Sequence, residues 1–191
     1  MLKASGITEN YRELRFKNYK VYNQQTNAAK AMAVDYVKQF EVIEGKRNNS
    51  VAFLGQVGAG KTHLTMAIAN ELYDAGIGVL YMPYRTAITE LKQLILDEEN
   101  YQKKISQYKM ARVLLIDDFA KGNRTGADVN AMFDIINDRY LNNRPFILSS
   151  EKDIDGLLEF DEAVGSRIIE MSKGHIQLFT GAENNYRLRG A

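Results

Sequence analysis

Apolar positions in this chain fall into two rhythms that take turns from start to end. Short, nearly unbroken apolar runs occur at Val51-Ala-Phe-Leu54, Val79-Leu-Tyr-Met82, Arg112 to Ile116, Phe146-Ile-Leu-Ser-Ser150 and His175-Ile-Gln-Leu-Phe179. Each is of strand length, and none alternates with polar residues, which is the pattern of strands buried on both faces. Between them the apolar residues recur at helical spacing. Helices are predicted over Asn27 to Phe40 (apolar side Ala28, Ala31, Met32, Val34, Tyr36, Val37, Phe40), Lys61 to Tyr73, and Ala87 to Met110 with a break near Asp97 to Asn100. Two more are predicted over Val129 to Leu141, with Met132, Phe133, Ile135, Ile136 and Tyr140 as apolar members, and around Asp161 to Met171. Five strands alternating with helices predict an α/β fold, a parallel sheet with helices on both faces.

Composition narrows the class. The chain has 191 residues, enough for one compact domain, and a formal charge of +1, so no strong overall field draws it to nucleic acid or to an acidic membrane. With no cysteine there is neither a disulfide nor cysteine-ligated zinc. No apolar run approaches the length of a membrane span, and Met1 to Tyr22 mixes Lys, Arg, Glu and Tyr without an apolar stretch. A cytoplasmic protein without membrane contact is expected. The whole of 1–191 is expected to be one domain, with a lead and first helix over 1–45 and the core over 46–191.

The first apolar run leads into Gly55-Gln56-Val57-Gly58-Ala59-Gly60-Lys61-Thr62, the Gly-x-x-x-x-Gly-Lys-Thr phosphate loop. Its glycines let backbone N–H groups curl inward toward phosphate oxygens, and the helix that begins there adds its positive end. Lys61 is expected to reach the outer phosphates of ATP or ADP, and Thr62 to complete the shell of a Mg²⁺ ion. A chance match in a chain of this length is roughly a one-in-a-hundred event, and here the motif also follows a strand and opens a helix. His63, next in line, belongs to the same nucleotide-binding stretch as a packing residue of that helix. It has no second ligand at useful spacing for a metal.

Val113-Leu-Leu-Ile116 delivers the acidic pair Asp117-Asp118 to the carboxyl end of a strand, the edge of a parallel sheet where ligands sit. Asp117 is expected to hold Mg²⁺, directly or through water. Asp118 is expected to orient and polarise the attacking water, or else to cap the next segment.

Several segments together resemble the DnaC/DnaI-type helicase loaders and the related IstB-like transposition ATPases of the AAA+ class. They are Ala4-Ser-Gly-Ile-Thr-Glu-Asn-Tyr11, Phe16-Lys-Asn-Tyr19, Gly55 to Thr62, Leu114-Leu-Ile-Asp-Asp-Phe119, Ile135-Ile-Asn-Asp-Arg-Tyr140, Arg144 to Ser150, Gly165-Ser-Arg167 and Asn185-Tyr-Arg187. The resemblance implies a P-loop αβα sandwich with sheet order 5-1-4-3-2, and twelve residues after Phe179 leave no room for a helical lid domain. It places Ser149 and Ser150 where the family's sensor reads the γ-phosphate, with Ser150 as the binding residue. The family commonly has Asn next to that hydroxyl, whereas this chain has Glu151, and hydroxyls that merely satisfy the strand's end fit equally well. Arg167 matches the arginine finger that acts in trans on a neighbouring copy, as against an ordinary exposed arginine. Arg139 and Arg144 are weaker candidates for that contact. Arg187 matches the sensor arginine that touches nucleotide in cis, with Arg189 close by. Phe16, Tyr19, Val21 and Tyr22 stand where the class covers adenine, or pack the first helix.

The resemblance further implies self-association, single-stranded DNA and a replicative DNA helicase as partners. Lys121 to Arg124 is the better DNA candidate, and the basic and aromatic stretch Tyr101 to Lys109 is read as a solvated helix face. The leading function is thus an ATPase that assembles on single-stranded DNA and assists helicase loading. A transposition helper ATPase shares every motif. A nucleotide-gated adaptor with little hydrolysis is a third reading. A small-molecule kinase is a fourth, and the chain lacks the arginine-rich lid such an enzyme needs.

Overall fold

The computed structural model describes residues 9–186. Ala4 to Thr8 of the opening motif, and the candidate arginines Arg187 and Arg189, lie outside the described residues. A short helix α1 (Glu9–Arg12) and a 3-10 turn (Phe16–Asn18) precede α2 (Gln24–Ile43), β1 (Val51–Gly55) and α3 (Lys61–Asp74). Then follow β2 (Val79–Pro83), α4 (Tyr84–Gln93), α5 (Glu98–Met110), β3 (Val113–Phe119) and α6 (Gly126–Leu141). The chain continues through β4 (Phe146–Ser150), α7 (Ile154–Phe160), α8 (Glu162–Met171), β5 (Ile176–Phe179) and a last 3-10 turn (Ala182–Asn184).

The five strands form one sheet in the order β2-β3-β4-β1-β5, the expected order read from the other edge. Every pairing is parallel, with Val51 opposite Ile147 and Val79 opposite Val113. Successive residues on a strand face opposite sides, and both sides are covered. Val51, Phe53, Val113, Leu115 and Ile147 pack under α2 and α3. Ala52, Leu54, Leu114, Ile116 and Leu148 pack under α4 to α8. This two-sided burial is the physical reason the strands read as continuous apolar runs.

Helix ends follow local chemistry. The helix α2 begins before Asn27 because Asn23 caps it: its side chain accepts the Thr26 N–H at 2.9 Å while Thr26 Oγ1 accepts the Asn23 N–H at 3.1 Å. Its buried face is Ala29, Ala33, Tyr36, Phe40 and Ile43, whereas Ala28 and Ala31 are exposed. Alanine is small enough to sit on either side, so it misplaced the expected face. The helix α7, unforeseen in the sequence, starts at Asp153, whose carboxylate accepts the Gly156 N–H. The other departure bears on function. The strand β3 does not end before the acidic pair but carries it, and its register against β4 breaks between Ile116 and Phe119.

Candidate active site

The phosphate loop joins β1 to α3, and its shape depends on glycine. Gly60 has φ of 84°, and a Cβ there would stand 2.9 Å from the Tyr19 ring. Gly58 has φ of 74°, and a Cβ would overlap the Asn185 side chain. Both positions hold the left-handed backbone that glycine adopts without strain, and a side chain at either would have to displace its neighbour. The main chain of Gly58 is also held from the far end of the protein, its carbonyl accepting the Tyr186 N–H at 3.0 Å.

Lys61 lies folded back under the loop. Its ammonium donates to the carbonyls of Gly55 at 2.6 Å and Gln56 at 2.7 Å. Burial lowers its pKa from the usual 10.5 to about 8, opposed by the nearby carboxylates of Glu151, Asp118 and Asp117. Thr62 Oγ1 donates to Asp117 Oδ1 at 3.0 Å, and Ser149 Oγ donates to the same oxygen at 2.5 Å. Tyr81 OH reaches the other oxygen at 3.4 Å. Burial nonetheless raises the Asp117 pKa, with the neighbouring Asp118 charge adding to the effect against the donors.

The chain then takes an unusual course. Asp118 and Ala120 have φ of 57° and 59°, left-handed values that cost a non-glycine residue roughly 1–2 kcal/mol. Two serines hold this irregular segment. The Asp118 N–H donates to Ser149 Oγ at 2.9 Å, and Ser150 Oγ donates to the Phe119 carbonyl at 2.8 Å. The result turns the Asp118 side chain into the cleft, where its carboxylate pairs with Lys121 at 2.9 Å. Lys121 also pairs with Glu151 at 2.8 Å.

Of these groups Lys61, Thr62, Asp118, Lys121 and Glu151 border one cleft of about 390 Å³, whereas Asp117 is buried and meets it through Thr62. Of the expected nucleotide-binding residues, Val57, Gly58, Ala59, Gly60, Lys61, Thr62 and His63 line it, as does Asp118. Gly55 and Gln56 enter through the carbonyls that hold Lys61. His63 packs by its edge on Tyr19 and bonds the Arg15 carbonyl at 2.9 Å. For Ser150 the strand-end alternative describes the structure and the sensor role does not: it is fully buried, its hydroxyl is taken by main-chain groups, and it is not among the residues lining the cleft. Ser149, one residue earlier, is the hydroxyl that meets Asp117.

Tyr19 and Tyr22 line the cleft, while Phe16 packs into the core under α3 and Val21 faces solvent. Asn18, Lys20, Lys121, Glu151 and Tyr186 complete the lining and were not expected there. Lys20 bonds Tyr186 OH at 3.0 Å, and Tyr22 OH donates to the Asn184 carbonyl at 2.8 Å, which clasps the two ends of the chain beside the loop. Such cross-chain pairing has no signature in a single sequence. The ion pairs of Lys121 with Asp118 and Glu151 had one: each acid stands at the end of a strand that the sheet order makes adjacent.

The arginines sort differently. Arg167 does not enter this cleft; it donates to the Ala163 carbonyl at 2.7 Å and lies 5.4 and 5.3 Å from the ring centres of Phe133 and Tyr140 on α6. Arg139 is removed as a candidate for contact with another copy, being fully buried and bonded to the carbonyls of Tyr108, Ala111 and Pro145. Arg144 pairs with Asp138 at 3.0 Å. The expected DNA segment is also committed elsewhere, with Lys121 in the ion pairs above and Arg124 bonded to the carbonyls of Glu159 and Phe160.

The donor set suits Mg²⁺. A hydroxyl and a carboxylate already converge in Thr62 and Asp117, and among the described residues no group of three or more His, Cys, Asp or Glu forms a self-sufficient metal cage. Magnesium bound with phosphates needs only one or two carboxylates from the protein.

The family described as IstB-like ATP binding protein matches this chain over residues 11–190. The chain belongs to the IstB-like ATP-binding family. Its relatives include the phage-like element PBSX protein XkdC of Bacillus subtilis (strain 168), 40% identical over all of this chain and 74% of that protein. The Bacillus subtilis protein YqaM is 38% identical over 98% of this chain, which spans 62% of YqaM's length. The putative ATP-binding protein of insertion sequence IS21 from Pseudomonas aeruginosa is 31% identical over 65% of this chain. Among solved structures, the DnaC helicase loader matches with a TM-score of 0.78, 26% identity and coverage of 91% of this chain and all of that one. DnaI matches with a TM-score of 0.76 at 23% identity over 92% of this chain and 95% of that one, which shows the shared fold. The phosphate loop and acidic pair thus sit in an IstB-like ATP-binding protein with a DnaC-like fold. No helix among the described residues is long and apolar enough to cross a membrane.

Proposed function

We propose that this IstB-like protein is a Mg²⁺-dependent ATPase that assembles on single-stranded DNA and assists loading of a replicative DNA helicase. The observation that carries the ATPase part is that Lys61, Thr62 and Asp118 line one cleft, with Asp117 bonded to Thr62 and fixed by Ser149, and Asp118 turned inward by a strained backbone. Lys61 supplies positive charge under the loop that would cradle the phosphates. Thr62 and Asp117 are the residues that would hold Mg²⁺, which when bound neutralises phosphate charge. Asp118, freed of Lys121, would orient and polarise a water. Tyr19 and Tyr22 offer aromatic surface for the base.

The helicase-loading part is supported by the likeness to the DnaC helicase loader across nearly the whole chain. Single-stranded DNA as a partner is supported by a second structural neighbour, the replication initiator DnaA bound to AMPPCP and single-stranded DNA, with a TM-score of 0.74. The IS21 relative favours a transposition helper as the second reading. We retain 1–191 as one ATPase domain and Arg167 as the residue offered to a neighbouring copy, with Arg187 as the arginine acting in cis.

The test is ATP hydrolysis over a range of protein concentrations, with and without single-stranded DNA, beside Lys61→Ala and Arg167→Ala. Turnover that rises with concentration or DNA and vanishes in both variants supports the assembling ATPase. Tight ATP binding with no turnover under any condition would replace it with a nucleotide-gated adaptor. Turnover indifferent to concentration and to Arg167→Ala would remove the trans contact alone. Stimulation by a replicative helicase rather than by a transposase separates the two biological readings.

A further inference from the structure

Lys121 lies three residues beyond the acidic motif and belongs to none of the phosphate-loop elements, yet it borders the same cleft. It forms a bridge, 2.9 Å from Asp118 Oδ2 and 2.8 Å from Glu151 Oε1. Both carboxylates come from strand ends made adjacent by the β3–β4 pairing, and both lie close enough to act on the charge of Lys61. Three carboxylates (Asp117, Asp118 and Glu151) therefore stand against two ammonium groups (Lys61 and Lys121) where the outer phosphates of a nucleotide would enter. All three members of the bridge are partly exposed to the cleft, with side-chain exposures of 41%, 40% and 33% for Lys121, Asp118 and Glu151. The bridge is thus open to a competing anion. Its position is not left to a floppy loop: the left-handed turns at Asp118 and Ala120, tied down by Ser149 and Ser150, fix where Lys121 leaves the main chain.

We propose that Lys121 recognises the terminal phosphate of ATP, exchanging its carboxylate partners for that phosphate and so releasing Asp118 only when a triphosphate is present. The inference rests on the reading of this cleft as the ATP site. A diphosphate leaves the bridge intact, because it lacks the group that competes for Lys121. A triphosphate brings a new anion to the ammonium, and charge-assisted bonds to phosphate are stronger than a solvent-screened ion pair. Glu151 serves as the holder that keeps Lys121 in the cleft while no triphosphate is bound.

The probes are a non-hydrolysable ATP analogue and ADP, each with Mg²⁺, titrated calorimetrically into the whole chain as wild type, Lys121→Met, Glu151→Gln and Lys61→Ala. Lys121→Met is expected to weaken the analogue by about tenfold to a hundredfold, the scale of one charge-assisted hydrogen bond, with ADP affinity changed by less than about threefold. Glu151→Gln removes a repelling charge and a competitor for Lys121. It should strengthen the analogue and not ADP, opposite in sign to Lys121→Met. A merely structural ion pair predicts the same loss in both variants and for both nucleotides. Equal effects of Lys121→Met on the two nucleotides, or none on either, overturn the proposal. If Lys61→Ala leaves both affinities unchanged while the wild type binds, the cleft is not the ATP site, and the functional reading fails along with the role of Lys121.

Discussion

Lys61 makes a sharp test of how this site balances stability against binding. It is 6% exposed, and its ammonium rests on two carbonyls of the phosphate loop. Burial sets its pKa at about 8 in the folded chain against 10.5 when free. Between these values the unfolded chain binds more protons than the folded one, so stability must rise with pH across that window. Below pH 8 both states are charged and the full cost of burying the ammonium is present. The gap corresponds to roughly 3 kcal/mol, most of it relieved by pH 10. Replacing the lysine by methionine keeps an unbranched chain in the same channel and removes the charge. It also forfeits two charge-assisted hydrogen bonds worth about 1.5 kcal/mol each. Lys61→Met should therefore be about as stable as the wild type at pH 7 without nucleotide. It should fall behind as pH rises, because the wild type alone gains. The assay is urea unfolding of both proteins at pH 7, 8.5 and 10, read as the difference between them so that groups common to both cancel. A wild-type stability that stays constant or falls relative to the variant from pH 7 to pH 10 would refute the reasoning. Added ATP should favour the wild type at pH 7, since the variant loses the ammonium that would meet the phosphates.

Ser149→Ala removes the donor to the Asp117 carboxylate and the acceptor of the Asp118 N–H from a fully buried site; unfolding should show a loss of about 3–4 kcal/mol, against about 2 for Ser150→Ala, whose two bonds are both to neutral main-chain groups, and losses of equal size would argue against a special role for Ser149. Gly60→Ala combines a left-handed φ with a Cβ 2.9 Å from the Tyr19 ring; a cost of about 2 kcal/mol and weakened ATP binding are expected by thermal melting and calorimetry, and unimpaired binding would show that Tyr19 can give way freely. Arg139→Met leaves the carbonyls of Tyr108, Ala111 and Pro145 without their shared donor; a loss of about 3 kcal/mol or more should lower the melting temperature, and a stable variant would show that those carbonyls find other partners.

The alternation of apolar runs with helical periods was enough to state the five strands, their parallel pairing and two covered faces, because a strand buried on both sides has no polar positions to spare. The order of strands came with the resemblance to a family and is the order observed. The phosphate loop was legible because its chemistry is local: glycines, Lys61 and Thr62 act through the backbone geometry of eight consecutive residues. Asp117 and Asp118 were legible as a pair, yet not as a bulge inside β3. What positions them is Ser149 and Ser150, more than thirty residues away in sequence and adjacent only through the sheet. Periodicity placed Phe133 inward and said nothing of Arg139. In the structure Phe133 is 36% exposed and Arg139 fully buried, since the carbonyls around α5 and Pro145 needed a donor that only a long, multiply donating side chain supplies. The sequence by itself thus determined the architecture and the phosphate loop, where local pattern and chemistry coincide. Tertiary structure alone decided which serine serves Asp117, where Lys121 rests and which arginine is spent on the core, because each depends on atoms brought together by strand pairing and packing rather than by nearness along the chain.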